Sequence, residues 1–135
     1  MGTNEKVNNL MENFYIEGSD YIPEVNFNTE NGELWVSGES YHEYTLEFFQ
    51  PVFDWLRKYT EDEGKKIDLN FKMSYFNTSS SRRFLEIMSL LEDYHFNKNG
   101  NVTINWYYEK NDLDMLESGE EYAEDVKLQF NLIPY

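Results

Sequence analysis

Cysteine is absent from the 135-residue sequence, and histidine occurs only twice. The lack of cysteine excludes disulfides, thiolate nucleophiles and cysteine-ligated metal sites, and it fits a reducing compartment. His42 and His95 belong to no H-E-x-x-H or H-x-E motif, so a zinc ion would find no set of ligands. Nucleotide-binding loops of the Walker and G-x-G-x-x-G types are also missing. We therefore expect no metal site and no cofactor.

Basic residues are scarce: 11 lysines and arginines stand against 26 aspartates and glutamates, which gives a net charge of −15. A chain this acidic repels phosphate backbones and anionic lipid surfaces, so nucleic acid and membrane are disfavoured as partners. A basic groove on a partner protein is compatible with the charge. Acidity that serves solubility alone is the other interpretation.

The N-terminal stretch has neither a positive start followed by an apolar run nor a run long enough to span a bilayer. This pattern predicts a cytoplasmic protein. Residues 1–12 are polar and rich in asparagine, which predicts a flexible segment. The length and the 18% of aromatic residues predict that 13–135 form a single domain around one core.

Alternating apolar residues predict an α/β fold, a mixed sheet of about five strands with two main amphipathic helices packed on it. The first two strands form a hairpin around Asn31-Gly32, in which Trp35 faces away from the core. A helix follows, with a capping-box pattern at Ser40 and Glu43 and a stop at Gly64. Pro51 predicts a kink or a restart in that helix. The spacing of apolar residues predicts the remaining strands and helices, which gives the order β-β-α-β-α-β-(α)-β. The helix in parentheses is a short one in the acidic stretch 109–125.

Catalytic motifs are missing as well. Ser40 in "GESYH" resembles a nucleophile elbow only superficially, because His42 replaces the second glycine and a helix cap explains the serine better. The carboxylates of 109–125 do not have the spacing of a calcium loop and fit a solvated face. We expect a protein that is not an enzyme, and a hydrolase that uses Ser40 or the acidic stretch is the weakest alternative.

Five consecutive small polar residues, Asn77 to Ser81, separate a predicted strand from a predicted helix. One good cap is enough for a helix start, so the other hydroxyls are surplus. A helix N-terminus carries partial positive charge and free N–H groups, which makes a hydroxyl there a sensible phosphoacceptor. A cap-rich loop without further function, and a binding site for an anion or a phosphorylated metabolite, are the alternatives.

Three sequence blocks, "SGESY", "FFQPVFDWLRKY" and "YFNTSS", resemble in the same order the SiaC family of bacterial regulatory phosphoproteins. The resemblance covers about residues 22 to 133. It implies a fold similar to STAS-type anti-sigma-factor antagonists and a non-enzymatic partner-switching function. It also implies three protein partners: a GGDEF diguanylate cyclase that the unphosphorylated form binds and activates to raise cyclic-di-GMP, a serine/threonine kinase of the histidine-kinase-like ATPase type, and a PP2C-type phosphatase.

Carried over to this chain, the resemblance places the phosphorylation on Thr78, with Ser79 as the nearest competitor. The same resemblance implies a partner-binding loop around this residue. Its expected members are Tyr75, Phe76, Asn77, Ser79, Ser80, Arg82 and Arg83.

Overall fold

Across the residues that the structure describes, six strands form one sheet, in which the strands lie in the order of the chain. The structure is a computed structural model and describes residues 11–135. The strands are β1 (Phe14–Ile16), β2 (Glu24–Phe27), β3 (Glu33–Ser40), β4 (Lys66–Phe76), β5 (Asn101–Tyr108) and β6 (Gln129–Pro134), and the helices are α1 (Thr45–Tyr59), α2 (Thr78–Asn97) and α3 (Leu113–Asp125).

The sheet is mixed, as the sequence predicts. Strands β1 to β3 pair antiparallel, whereas β3 to β6 pair parallel. Each parallel connection contains one helix, and each moves to the next strand in the same direction, so right-handed crossovers place all three helices on one face. The carboxyl ends of β3 and β4 consequently meet at the edge where α1 and α2 begin.

The core lies between that face and the helices. In the hairpin, period-two alternation buries Val25, Phe27, Leu34 and Val36 completely, which confirms the prediction for these strands. Trp35 faces the other side of the sheet, where its ring stacks on Tyr107. Helix α2 is amphipathic, as expected of the two main helices, and its apolar stripe is buried; the residues of the stripe are Phe84, Ile87, Met88, Leu91 and Tyr94.

Gly32 closes the predicted hairpin turn with a φ of +71°. A side chain there would collide with the backbone carbonyl of Lys66, and its left-handed conformation also favours glycine. The Asn31-Gly32 signal therefore marks both the turn and a close approach between the turn and β4.

Strand β1 was not predicted, and α3 is longer than the short helix expected in the acidic stretch. β1 has three residues and is held by pairing of Phe14 with Phe27 and of Ile16 with Val25. Such a short strand carries no readable periodicity. Helix α3 has 13 residues, and the side chain of Asp112 caps it by accepting from the N–H of Met115.

The predicted ends of α1 were wrong. The helix begins at Thr45, where Tyr44 provides no side-chain cap, and it ends at Tyr59 rather than at Gly64. Ser40 does not cap it, because Ser40 is the last residue of β3 and pairs with Phe76. The helix runs through Pro51 without a restart.

A flexible segment is predicted over residues 1–12. Of these, residues 1–10 lie outside the described part of the chain. The two residues that follow contact the fold through their carbonyl groups: Nε1 of Trp55 donates to Glu12 at 3.1 Å, and Oγ1 of Thr29 donates to Met11 at 3.4 Å. Over residues 11–135, none of the helices combines the length and the apolar character that crossing a membrane requires.

Candidate functional site

The junction between β4 and α2 consists of a single residue, Asn77. Its backbone N–H donates to the carbonyl oxygen of Ser40 at 3.0 Å, which ties the junction to the end of β3. Its side-chain oxygen accepts from the N–H of Ser80 at 2.8 Å and so caps α2. The cap requirement of the helix is met by the asparagine, and the four hydroxyls that follow are not needed for it.

Ser80 is fully buried and belongs to the scaffold of the site. Its hydroxyl donates to the carbonyl oxygen of Ser40 at 2.7 Å. Because this uses its only proton, the hydroxyl of Ser40, also 2.7 Å away, donates to Oγ of Ser80. The two serines therefore form a closed pair that joins β3 to the first turn of α2.

Ser79 and Ser81 are half-buried, and each bonds to a different helix. The hydroxyl of Ser79 bonds to that of Thr45, the first residue of α1. The hydroxyl of Ser81 lies 2.6 Å from that of Tyr122 on α3, and Tyr122 donates to the Ser81 carbonyl at 3.0 Å. Burial raises the pKa of Tyr122 to about 12. Both serines thus hold neighbouring helices in place.

Thr78 differs from these serines. It is the first residue of α2, its side chain is exposed, and within residues 11–135 its hydroxyl makes no hydrogen bond. It is therefore the hydroxyl of this junction that a modifying enzyme can reach without breaking an existing bond.

Two arginines follow on α2, and their side chains differ in exposure. Arg82 is exposed and lies four residues after Thr78, on the same face of the helix. Arg83 is mostly buried, and its Nε lies 2.8 Å from a carboxylate oxygen of Glu86 without the alignment of a hydrogen bond. Arg82 is consequently the cation best able to turn toward Thr78.

Thr78 lies between two open clefts. One, of about 520 Å³, separates the starts of α1 and α2, and Glu43, Glu47 and both arginines line it. The other, of about 210 Å³, faces α3 and is lined by Arg82, Glu121 and Asp125 among others. A group added to Thr78 would meet carboxylates on both sides and the arginines from its own helix.

Exposed apolar side chains surround Thr78. Tyr44 and Leu46 each expose 63% of their surface at the start of α1, and Leu85 lies exposed one turn further along α2 from Arg82. Tyr75, at the end of β4, is also exposed. Large apolar side chains that remain in water around a polar centre are typical of a surface that binds protein.

The predicted partner-binding residues divide into three groups by exposure. Tyr75 and Arg82 reach the surface, whereas Ser80 is buried and the ring of Phe76 packs against Phe84 and Trp106. The latter two residues support the loop from inside. Asn77, Ser79 and Arg83 lie between these extremes.

Sequence reasoning missed two residues of the site, Thr45 and Tyr122, and it missed the contact between Ser40 and Ser80. Their partners on α2 lie 34 to 41 residues away along the chain. Periodicity and capping patterns report only neighbours within a turn or two, so no local signal could reveal these bonds.

The other candidates for chemistry have structural contacts. Nδ1 of His42 accepts from the N–H of Tyr44, and Nδ1 of His95 accepts from the N–H of Val102. Ser40 is completely buried, so a substrate could not reach it as a nucleophile. In the part of the chain that the structure describes, no three acidic or histidine side chains are grouped to hold a metal ion.

Comparisons with known proteins agree on one family. The model of the SiaC family regulatory phosphoproteins matches residues 16–135. An uncharacterised protein of Pseudomonas aeruginosa strain UCBPP-PA14 is 31% identical over 121 residues, which cover 89% of this chain and 94% of that protein.

Two solved structures support the same assignment. The crystal structure of apo-SiaC from Pseudomonas aeruginosa has a TM-score of 0.83 at 29% identity and covers 91% of this chain and 99% of its own. SiaC in the crystal structure of diguanylate cyclase SiaD with its activator SiaC, from the same organism, has a TM-score of 0.84 at 29% identity, with 90% and 99% covered. Because the family model spans nearly all of the described residues and the fold matches throughout, the chain belongs to the SiaC family of regulatory phosphoproteins.

Proposed function

We propose that this chain is a non-enzymatic cytoplasmic protein that binds and activates a GGDEF diguanylate cyclase while Thr78 is unmodified, and thereby raises cyclic-di-GMP. A serine/threonine kinase of the histidine-kinase-like ATPase type phosphorylates Thr78 and ends the binding. A PP2C-type phosphatase reverses the modification. Control of biofilm formation or aggregation is the output.

Family membership supports the choice of partner. The SiaC of Pseudomonas aeruginosa forms a complex with the diguanylate cyclase SiaD, as its activator. This chain shares that fold over nine-tenths of its length. An activator acts by contact, which fits the exposed apolar side chains around Thr78.

The free hydroxyl of Thr78 carries the proposal. Ser79, Ser80 and Ser81 are each held by a hydrogen bond to another element, whereas the side chain of Thr78 is exposed at the positive end of α2. A kinase that modified Ser80 would have to open the core. The same kinase could modify Thr78 on the folded protein.

A phosphate on Thr78 would add roughly −1.5 to −2 charges at pH 7. Glu43 and Glu121 line the clefts on either side, and Leu46 and Leu85 are the neighbouring apolar contacts for a partner. A partner that docks there would have to desolvate the phosphate, and any carboxylates on its surface would be repelled. Arg82 and the N–H groups of α2 would hold the phosphate against the protein.

Mass spectrometry after incubation with the kinase from the same genome tests the site. We expect one phosphate on the peptide that contains Thr78, and none on the Thr78→Ala variant. The Ser79→Ala variant is the matched control and should be modified like the wild type. Phosphate on Ser79 in the wild type would refute the assignment to Thr78 and leave the switch itself standing.

A second candidate function, the binding of an anion or a phosphorylated metabolite, rests on a separate observation. The starts of α1 and α2 converge at the 520 Å³ cleft, where Arg82 and Arg83 add positive charge. A thermal-shift screen with nucleotides and sugar phosphates distinguishes the two functions. A ligand at 100 times its dissociation constant should stabilise the protein by about 2.7 kcal/mol, whereas the partner-switching protein should show no such shift.

A further inference from the structure

Three tyrosines, one of them at the end of β4, form a row of edge-to-face contacts. The ring of Tyr41 lies 5.4 Å from that of Tyr21 and 5.5 Å from that of Tyr75, with interplanar angles of 72° and 73°. A backbone bond from the N–H of Tyr41 to the carbonyl of Tyr21 fixes the first pair. We call these three residues the tyrosine ladder.

The tyrosine ladder is open to solvent. Tyr21 exposes 58% of its surface and Tyr75 exposes 52%, and Tyr41 between them is half-buried. Contacts between the rings hold each of them in place, so a partner would not have to immobilise flexible side chains. Tyrosine, with tryptophan and arginine, is enriched among the residues that dominate the binding energy of protein interfaces.

Carboxylates lie around the ladder. Asp20 precedes Tyr21 in the chain, and Glu39 lies two residues before Tyr41. Burial, followed by the charge of Glu39, raises the pKa of Tyr41. Glu39 also pairs with Tyr75 across β3 and β4. Aromatic faces and nearby negative charges both attract a guanidinium or an ammonium group, so the chemistry of the ladder is selective for cations.

The ladder is continuous with the site already described. Tyr75 precedes Thr78 by three residues, and Tyr41 follows Ser40, whose carbonyl oxygen accepts from the N–H of Asn77 just before α2. A partner that covers Thr78 would therefore extend over the ladder.

We propose that Tyr21, Tyr41 and Tyr75 form a docking surface for an arginine- or lysine-bearing segment of a protein partner. The inference rests on the proposed function, because the same partner would cover Thr78 and the ladder together. It adds the chemistry of the partner, a positively charged segment, and two residues, Tyr21 and Tyr41, that recognise it.

A peptide titration tests the ladder without the cyclase. The probe is a hexapeptide of alternating glycine and arginine, added at 0.15 M salt to isotope-labelled protein while the aromatic resonances are followed by NMR. We expect shifts at the ladder rings, and an apparent affinity at least about fivefold weaker in Tyr41→Ala and Tyr75→Ala. Glu39→Gln should weaken binding and reduce its dependence on salt.

Tyr15→Ala is the matched control. Tyr15 exposes 58% of its surface and bonds to a carboxylate, that of Glu24, but it lies on β1, outside the ladder. This variant should bind the peptide like the wild type. The amide spectrum of each variant verifies its fold, and the exposed Tyr75 provides a substitution that leaves the core untouched.

Equal loss of affinity in Tyr15→Ala and Tyr41→Ala would overturn the inference, and so would shifts that follow the carboxylates of α3 rather than the ladder. A cyclase that fails to bind the chain would contradict the proposed function and leave the peptide result intact. If the cyclase binds Tyr41→Ala and Tyr75→Ala as tightly as the wild type, the ladder is wrong and the switch at Thr78 stands.

Discussion

The hydroxyl of Ser80 donates to the carbonyl oxygen of Ser40 across 2.7 Å, inside the core and over 40 residues of sequence. The return bond from the Ser40 hydroxyl completes the pair. This contact fixes the start of α2 against the end of β3. The position of Thr78, two residues before Ser80, depends on it.

Replacing Ser80 with alanine should destabilise the protein by about 1–3 kcal/mol, because the buried oxygens of Ser40 lose a partner without access to water. Urea denaturation of the purified variant measures the change. Ser89→Ala, an exposed substitution on the same helix, should stay within about 0.5 kcal/mol of the wild type. Equal stability of the two variants would mean that the serine pair contributes nothing.

Asn77→Ala should cost about 1 kcal/mol, since the N–H of Ser80 would lose the cap that satisfies it. Asn77→Asp is the matched comparison: its carboxylate oxygen can accept the same bond, and a negative charge is favourable at a helix N-terminus. We expect the melting temperature to fall for the alanine variant only. A similar fall for both variants would contradict the capping role.

The stability of the protein should decline above pH 10, partly through Tyr122. Burial raises the pKa of Tyr122 from 10.0 to about 12 in the folded state, so the unfolded chain loses this proton first as the pH rises. The stabilisation is therefore complete below pH 10 and is lost between about pH 10 and 12; it is on the order of 2 kcal/mol.

Denaturation of Tyr122→Phe as a function of pH measures this contribution. The variant should be less stable at neutral pH by about 1 kcal/mol, because the bonds to Ser81 are missing. Its difference from the wild type should shrink or reverse between pH 10 and 12. A constant difference over that range would show that Tyr122 does not titrate as described.

The regular parts of the fold could be predicted because their signals are local. Alternation revealed the faces of β2 to β5, and a 3.6-residue period revealed the buried stripe of α2. The start of α1 could not be predicted. Ser40 and Glu43 have the spacing of a capping box, but Ser40 is held in β3 by pairing with Phe76. A tertiary contact overrode a local preference there.

The site was predictable in part for the same reason. The surplus of hydroxyls at Asn77 to Ser81 pointed to the junction, and the family resemblance pointed to Thr78. Which hydroxyls are free depends on Thr45, Ser40 and Tyr122, three residues that only the folded chain brings to α2. The sequence therefore indicates the segment, but it does not indicate which of the hydroxyls are bonded and which is free.

The effect of Thr78 on partner binding is the most direct test of the account. Calorimetric titration with the diguanylate cyclase from the same genome should give equal affinity for the wild type and Thr78→Ala, and loss of at least about tenfold for Thr78→Asp and for the kinase-treated protein. Ser79→Asp, with its side chain in the half-buried contact to Thr45, reports whether any nearby charge has the same effect. If Thr78→Asp and the phosphorylated protein bind the cyclase as tightly as Thr78→Ala, Thr78 is not the switch.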